Sequence, residues 1–150
     1  MPRLSLESPV GPLTLVAKDG RIIALDWTGG AKDVNSAVLA EAAAQLRDYF
    51  ARRRQHFDLP LAPAGSASEQ RIWALMAEIP YGETRSYGDL AKALDLPARA
   101  IGRACGRNPI PILLPCHRVL GRDGALVGYS GGAGIETKRQ LLQLEHALLL

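Results

Sequence analysis

Cysteine and histidine are scarce in this chain: two cysteines, Cys105 and Cys116, and three histidines, His56, His117 and His146, in 150 residues. No C-x-x-C pair occurs and the histidines are scattered, so no metal site is expected. A disulfide framework is not expected either, because the opening stretch MPRLSLESPV has no secretory-signal pattern. A cytoplasmic location follows as an expectation. No apolar run approaches the roughly 18 residues of a membrane span, so no membrane partner is expected. Charge of one sign is also modest: the net value of +3 permits nucleic-acid binding without demanding it, and the placement of the positive charge decides more than the sum. What remains is an ordinary globular balance, 47% apolar and 22% charged, enough for one domain or two small ones sharing an interface.

The start of the chain reads as β structure. LSLES, LTLVA and RIIALDW carry alternating or clustered apolar residues, separated by PVGP and KDG turns, and predict a small antiparallel meander. From about Asn35 the period becomes helical through Leu39, Ala42, Leu46, Tyr49 and Phe50. The basic cluster Arg52, Arg53 and Arg54 is expected to close that helix at its C-terminal end. LPLAPAGSAS, residues 59–68, has no periodicity and reads as a linker. Beyond it, Ile72, Leu75, Met76 and Ile79 predict a helical stripe that stops at Pro80.

Two short helices around a tight turn are predicted next. Ser86 with Asp89 three residues on is a capping-box variant that opens a helix running through Leu94. Asp95, Leu96 and Pro97 make the turn, with Pro97 suited to the first position of the second helix. The pair is a candidate helix-turn-helix, although any helical hairpin has this outline. On the second helix Ile101, Ala104 and Cys105 share the face expected to pack inward, while Arg99, Gly102, Arg103 and Gly106 share the other. Each helical glycine costs about 1 kcal/mol against alanine. A face of glycine and arginine therefore makes sense where a polyanion must approach closely; a plain solvated face is the alternative.

The chemistry concentrates in RNPIPILLPCHRV. Taken alone, a cysteine in an apolar segment is more often buried and inert than catalytic, and a lone histidine is more often structural. Pro109, Pro111 and Pro115 change the weighing, because fixed φ values before Cys116 predict a stiff extended segment useful to a nucleophile. His117 is adjacent, but neighbours on a strand point to opposite faces, so contact needs a bend at 116–117. An imidazole beside the thiol is expected to lower its pKa. Glu145 falls on the apolar stripe of a final helix, three and four residues from Leu141, Leu142, Leu148 and Leu149, where a bare charge is costly unless paired. A histidine would satisfy it; a wet, fraying helix end is the alternative. Asn108 before Pro109 can cap or pin the loop through its side chain.

Together these residues resemble the methylated-DNA–protein-cysteine methyltransferases, the O6-alkylguanine-DNA alkyltransferase family. The motif P-C-H-R-V stands at Pro115 to Val119, flanked by IPYGETRSYGDLA, RAIGRACGRNPIPILLPCHRVLG, GYSGG and KRQLLQLE. The likeness is dense over residues 65–150 and looser before them. It implies an α+β fold: a small antiparallel-sheet N-terminal domain, RNase H-like, over residues 1–63, and a helical C-terminal domain with a winged helix-turn-helix over residues 64–150. It implies DNA repair by direct damage reversal, with irreversible transfer of an alkyl group from O6-alkylguanine, and from O4-methylthymine, to Cys116 once per molecule. Residue by residue, it implies that His117 acts as base through a bound water, that Glu145 orients His117, and that Asn108 ties the helix-turn-helix to the active-site loop. Tyr87 would donate a proton toward the leaving guanine. Arg99 would fill the space left by a flipped nucleotide. Ala98, Ala100, Gly102, Arg103 and Ser86 would meet the minor groove of double-stranded DNA, and Pro111, Val119, Tyr129 and Ser130 would line the guanine pocket. No cofactor is implied, and a monomer is expected.

The chain departs from the family pattern in several places. The turn between the two helices is shorter than in many members, and Arg103 stands where a small residue is common. Ser68 and Glu69 replace an aromatic–polar pair, which is expected to loosen packing near Trp73. GGAGIETK is longer than the commonest form, so a different pocket rim is expected. The zinc ligands of some members have no counterpart. Two other readings frame the expectation: a non-catalytic lesion binder of the same fold, which lacks the cysteine that this chain has, and a Cys–His hydrolase, for which no oxyanion-hole signature is present.

Overall fold

The structure, a computed structural model, describes residues 1–32 and 35–147. The three apolar runs at the start form β1 (Arg3–Leu6), β2 (Leu13–Lys18) and β3 (Arg21–Asp26), an antiparallel sheet in that order. Asp19 and Gly20 join β2 to β3 with φ of 52° and 75°, the left-handed pair that a two-residue hairpin turn requires. Helix α1 (Ala37–Phe50) begins at Ser36, whose hydroxyl accepts from the Leu39 N–H, and packs Leu39, Ala42, Leu46 and Tyr49 inward. The arginine cluster lies beyond this helix rather than in its last turn. Ala51 is the cap and Arg52 turns left-handed, with φ of 63°, which ends the helix before the cluster begins.

The stretch expected as a free linker is tied to the sheet. Ile22 N–H donates to Pro60 O at 2.9 Å and Ala62 N–H donates to Ile22 O at 2.8 Å, forming a parallel bridge between Ile22 and Leu61. Pro60 and Pro63 lack N–H groups, so pairing stops after this one bridge. Helix α2 (Ala67–Met76) then opens on a reciprocal capping box between Ser66 and Glu69. Glu69 therefore closes a helix cap instead of loosening the packing. Trp73 is 2% exposed, and its indole N–H donates to Ala104 O at 2.9 Å. Ile79 lies past the end of α2, buried in the turn before Pro80.

The short strand β4 (Arg85–Ser86) leads into α3 (Tyr87–Leu94), capped by Ser86 and Asp89 as the spacing predicts. Asp95 ends α3 in the left-handed region, with φ of 56°. Pro97 is the N-cap of α4 (Ala98–Gly106) and not its first residue: its ψ of 146° is extended, and the helix starts one position later. Strand β5 (Val119–Leu120) pairs parallel with β4, and α5 (Ile135–Leu144) closes the described chain. One apolar cluster runs from Leu13 and Tyr49 through Trp73 and Ile101 to Leu141, so the sheet half and the helical half share a core. Among the described residues no helix is long and apolar enough to cross a membrane.

The tightest packing around α2 is testable. A Cβ at Gly65 would stand 2.5 Å from the Trp73 ring, and the ring cannot retreat because Ala104 O holds its nitrogen. Gly65→Ala is expected to destabilise the protein by about 1–3 kcal/mol through overpacking, measured as a lowered urea midpoint. An unchanged midpoint would mean the ring shifts freely.

Candidate active site

The loop before Cys116 folds back on itself instead of running extended. Ile112 adopts φ of 74°, and Leu114 N–H donates to Ile110 O at 2.9 Å. Asn108 pins both ends of this reversal: its amide donates to Leu114 O at 2.9 Å and its Oδ1 accepts from Ile110 N–H at 2.9 Å. Fixed φ at Pro109, Pro111 and Pro115 suits a tight turn as well as an extended strand, and the two Asn108 bonds select the turn. From the sheet, Leu25 N–H donates to Pro109 O at 2.9 Å. The loop delivers its chain into a 3-10 turn over Cys116–Arg118. Three residues per turn separate neighbouring side chains by about a third of a circle, which supplies the bend that adjacency alone does not.

His117 and Glu145 meet at the centre of the site. His117 Nε2 lies 2.8 Å from Glu145 Oε2, with both side chains fully buried. Glu145 is not on the final helix but caps it, directly after Leu144, and its N–H donates to Leu141 O. Leu141 and Leu142 are buried as the stripe predicts, while Leu148 and Leu149 lie outside the described residues. Two further donors complete the carboxylate. Arg118 donates through Nε to Oε1 at 2.8 Å and through Nη2 to Oε2 at 2.9 Å, and its Nη1 donates to Ile79 O at 2.7 Å. Tyr49, from α1, donates its hydroxyl to Oε2 at 2.6 Å.

This arrangement fixes the protonation pattern. Burial pushes the Glu145 carboxyl up, but the His117 ring and the Arg118 guanidinium outweigh it and hold the pKa at about 2. Burial lowers the His117 pKa against the pull of Glu145, so the ring is neutral near pH 7. A neutral ring facing an ionised carboxylate carries its proton on Nε2, which leaves Nδ1 as an acceptor. That Nδ1 is buried and has no hydrogen-bond partner among the described residues. Cys116 is 5% exposed, and burial raises its thiol pKa, opposed by the Asn108 amide, Lys138 and a backbone N–H. The expected lowering therefore does not occur. The imidazole is neutral and lends the sulfur no positive charge, and desolvation disfavours the thiolate.

Around the thiol stand two tyrosines and a lysine. Tyr129 is buried, and its hydroxyl has no partner among the described residues. Tyr87 is half-buried at the start of α3, and its hydroxyl reaches Val127 O at 3.3 Å. Burial raises both phenol pKa values, so both remain donors. Pro111 is half-buried and Ser130 exposed. Val119 is sealed in the core with its carbonyl taken by Lys138, so it supports this region from behind rather than lining it. Sequence reasoning missed three residues. Arg118 sits inside the P-C-H-R-V motif without a role assigned to it. Tyr49 shows in the sequence only the period of a core position, although a buried phenol hydroxyl needs an acceptor. Lys138 is fully buried, donating to Val119 O at 2.6 Å and Val127 O at 2.7 Å. It thereby clamps β5 to the loop that carries Tyr129.

Helix α4 presents the face that the glycine pattern predicts. Ile101, Ala104 and Cys105 are buried, whereas Ala98, Arg99, Gly102, Arg103 and Gly106 are exposed and Ala100 is half-exposed. A Cβ at Gly102 or Gly106 would meet nothing within 4 Å among the described residues, so no contact there explains either glycine. Ser86 is less free than expected of a contact residue, because its hydroxyl accepts from Asp89 N–H at 2.9 Å.

The buried pair makes stability pH-dependent in a defined direction. Both groups have folded pKa values below their ordinary 6.5 and 4.5, so each contributes stability that is present above the ordinary value and lost as pH falls. Urea midpoints are expected to fall first below about pH 6.5, as unfolded His117 takes a proton, and again from about 4.5 toward 2 as Glu145 does. His117→Asn should abolish the first step and narrow the second, which Arg118 then sustains without the ring. Retention of the first step in that variant would show that another group carries it.

Comparison with known proteins bears on both halves of the chain. Residues 3–63 match the family model described as 6-O-methylguanine DNA methyltransferase, ribonuclease-like domain. Residues 67–147 match 6-O-methylguanine DNA methyltransferase, DNA binding domain. A methylated-DNA–protein-cysteine methyltransferase of Methanosarcina barkeri is 42% identical over 93% of this chain and 94% of its own length. The constitutive one of Bacillus subtilis is 41% identical over 93% of this chain and 92% of its own. The crystal structure of Mycobacterium tuberculosis OGT in complex with DNA superposes with a TM-score of 0.87 at 41% identity, covering 98% of this chain and 94% of that one. With both halves matched and that identity sustained along nearly the whole length, the chain belongs to the methylated-DNA–protein-cysteine methyltransferase family.

Proposed function

We propose that this chain repairs O6-alkylguanine in double-stranded DNA by moving the alkyl group onto Cys116, once per molecule. The observation that carries this reading is the buried Nδ1 of His117, the residue next to Cys116 in the chain, which has no hydrogen-bond partner among the described residues: a lone pair oriented by a carboxylate that accepts four donor contacts. His117 takes the thiol proton through a water. The S–C bond forms as the C–O6 bond breaks, the electron pair goes to the purine, and the Tyr87 hydroxyl protonates it. Tyr87 recovers a proton from His117, so the net exchange is one thiol proton for one alkyl group. A thioether offers no leaving group that the site can expel, which ends the cycle after one turn.

The target atom is inaccessible inside a stacked duplex, so the base must leave the stack. Helix α4 lies in the minor groove in this reading. Gly102 and Ala98 allow close approach, Arg103 and Ser86 reach the backbone, and Arg99 occupies the vacated place. Pro111, Tyr129 and Ser130 border the flipped base. Asn108, whose N–H donates to Cys105 O at 3.3 Å, holds the loop to the end of α4. O4-methylthymine, with the same alkyl-oxygen chemistry on a smaller ring, is a second substrate. The protein acts as a cytoplasmic monomer without a cofactor.

Incubation with a duplex carrying one O6-methylguanine should add one methyl mass per protein, mapped to the Cys116 peptide. Cys105, packed against Met76 with its thiol pushed up to about 12, should stay unlabelled. His117→Ala should slow the transfer by about 100-fold or more. Multiple turnovers, or label on Cys105, would overturn the reading.

The role of α4 is tested by comparing duplex with free base. Arg99→Ala is expected to slow repair of methylated duplex strongly and leave reaction with free O6-benzylguanine nearly unchanged. Gly102→Ala should raise stability by up to about 1 kcal/mol yet weaken duplex binding, since its methyl meets DNA and no protein. Equal slowing of Arg99→Ala on both substrates would assign Arg99 to the fold.

A further inference from the structure

Trp27 follows β3 in the sheet half of the molecule, yet its indole packs against the loop between β5 and α5. A Cβ at Gly131 would overlap Cζ3 of the Trp27 ring, and one at Gly132 would stand 2.7 Å from Trp27 Nε1. The Tyr129 ring meets the indole edge-on, with centroids 6.1 Å apart and planes at 86°. The indole is itself anchored, since Nε1 donates to Val10 O at 3.0 Å. The loop reaches the indole closely only because residues 131 and 132 have no side chains. Gly131 is the more telling of the two: its φ is not left-handed, so closeness to the ring and not backbone hand excludes a side chain there. Trp27 takes no part in the hydrogen bonds joining Tyr49, His117, Arg118 and Glu145.

We propose that Trp27 is a positioning residue for the substrate pocket, setting where Tyr129 and Ser130 stand relative to Cys116 and so governing affinity for the alkylated base rather than the transfer step. The inference rests on the functional reading above. The segment from Gly121 to Gly134 holds only a three-residue 3-10 turn, so its position depends on what it packs against. Lys138 fixes it at Val127, and Thr137 accepts from Ala133 N–H at 2.8 Å. Between those two ties, the indole is the surface beneath Gly131 and Gly132. Without it the loop samples positions in which Tyr129 is displaced, and only the competent fraction binds. The reacting groups are untouched, so the rate at saturation holds.

The experiment is size complementation, read with free O6-benzylguanine so that duplex binding plays no part. Trp27→Leu and Gly131→Ala are each expected to raise the half-saturating concentration about tenfold, corresponding to a competent fraction near one tenth. The maximal rate and its pH profile should stay at the wild-type values. The double variant Trp27→Leu, Gly131→Ala, in which the added methyl has room, should recover most of the loss in Gly131→Ala. Additive losses in the double variant would overturn the proposal, as would a fall in maximal rate with half-saturation unchanged, or melting temperatures that drop without any change in half-saturation. Wild-type protein that gains no alkyl mass would overturn the functional reading and this inference together. Wild-type protein that is alkylated, beside Trp27 variants of unchanged half-saturation, would overturn this inference alone.

Discussion

A single buried carboxylate organises the structure. Glu145 accepts from Tyr49 on α1, from His117 in the 3-10 turn and twice from Arg118. A charge so far from water is tolerable only when it is paired and hydrogen-bonded on every side, and here each donor comes from a different demand of the fold. Tyr49 brings the sheet half, Arg118 is itself tied to Ile79 O beyond α2, and Glu145 sits where α5 ends. Removing any one partner leaves the others with an uncompensated buried charge or dipole. The same saturation orients the His117 ring, because an ionised acceptor at Nε2 leaves the lone pair of the neutral ring on Nδ1.

The reactive site is consequently a joint product of both halves of the chain. The sheet half contributes three props, each to a different piece of the site. Leu25 N–H holds Pro109 in the loop before Cys116, Tyr49 holds Glu145, and Trp27 supports the glycines after Tyr129. These ties accompany one shared core that runs through both halves of the molecule.

Burial and reactivity are balanced against each other at Cys116. Desolvation raises the thiol pKa and favours its protonated form. In the proposed reaction, its activation therefore depends on proton transfer inside the site. Helix α4 shows the opposite balance, between stability and reach. Gly102 and Gly106 lower its helical propensity with no neighbouring group among the described residues to justify them, a cost that is intelligible when the face must admit a partner.

Local rules, acting over a few residues, were legible in the sequence. The meander, the Asp-Gly hairpin turn, the capping box at Ser86 and the inward face of α4 all follow from period, caps and turn residues. The resemblance carried by P-C-H-R-V and its flanks pointed to the family, and the unpaired look of Glu145 on an apolar stripe pointed to a buried partner. The sequence alone did not reveal the reversal at Ile112, which depends on two hydrogen bonds from Asn108, or the tying of Pro60 and Ala62 to Ile22. It also left Tyr49, Trp27 and Lys138 without roles, because a core tyrosine, a tryptophan after a strand and a helical lysine have no local signature of function. Sequence by itself determined which elements form and which residue types the chemistry uses, since those follow from neighbours in the chain. Only the tertiary structure decided the direction of the Cys116 shift and the donors that saturate Glu145, because desolvation and long-range hydrogen bonds depend on residues as far apart as 49 and 145 being brought to one point.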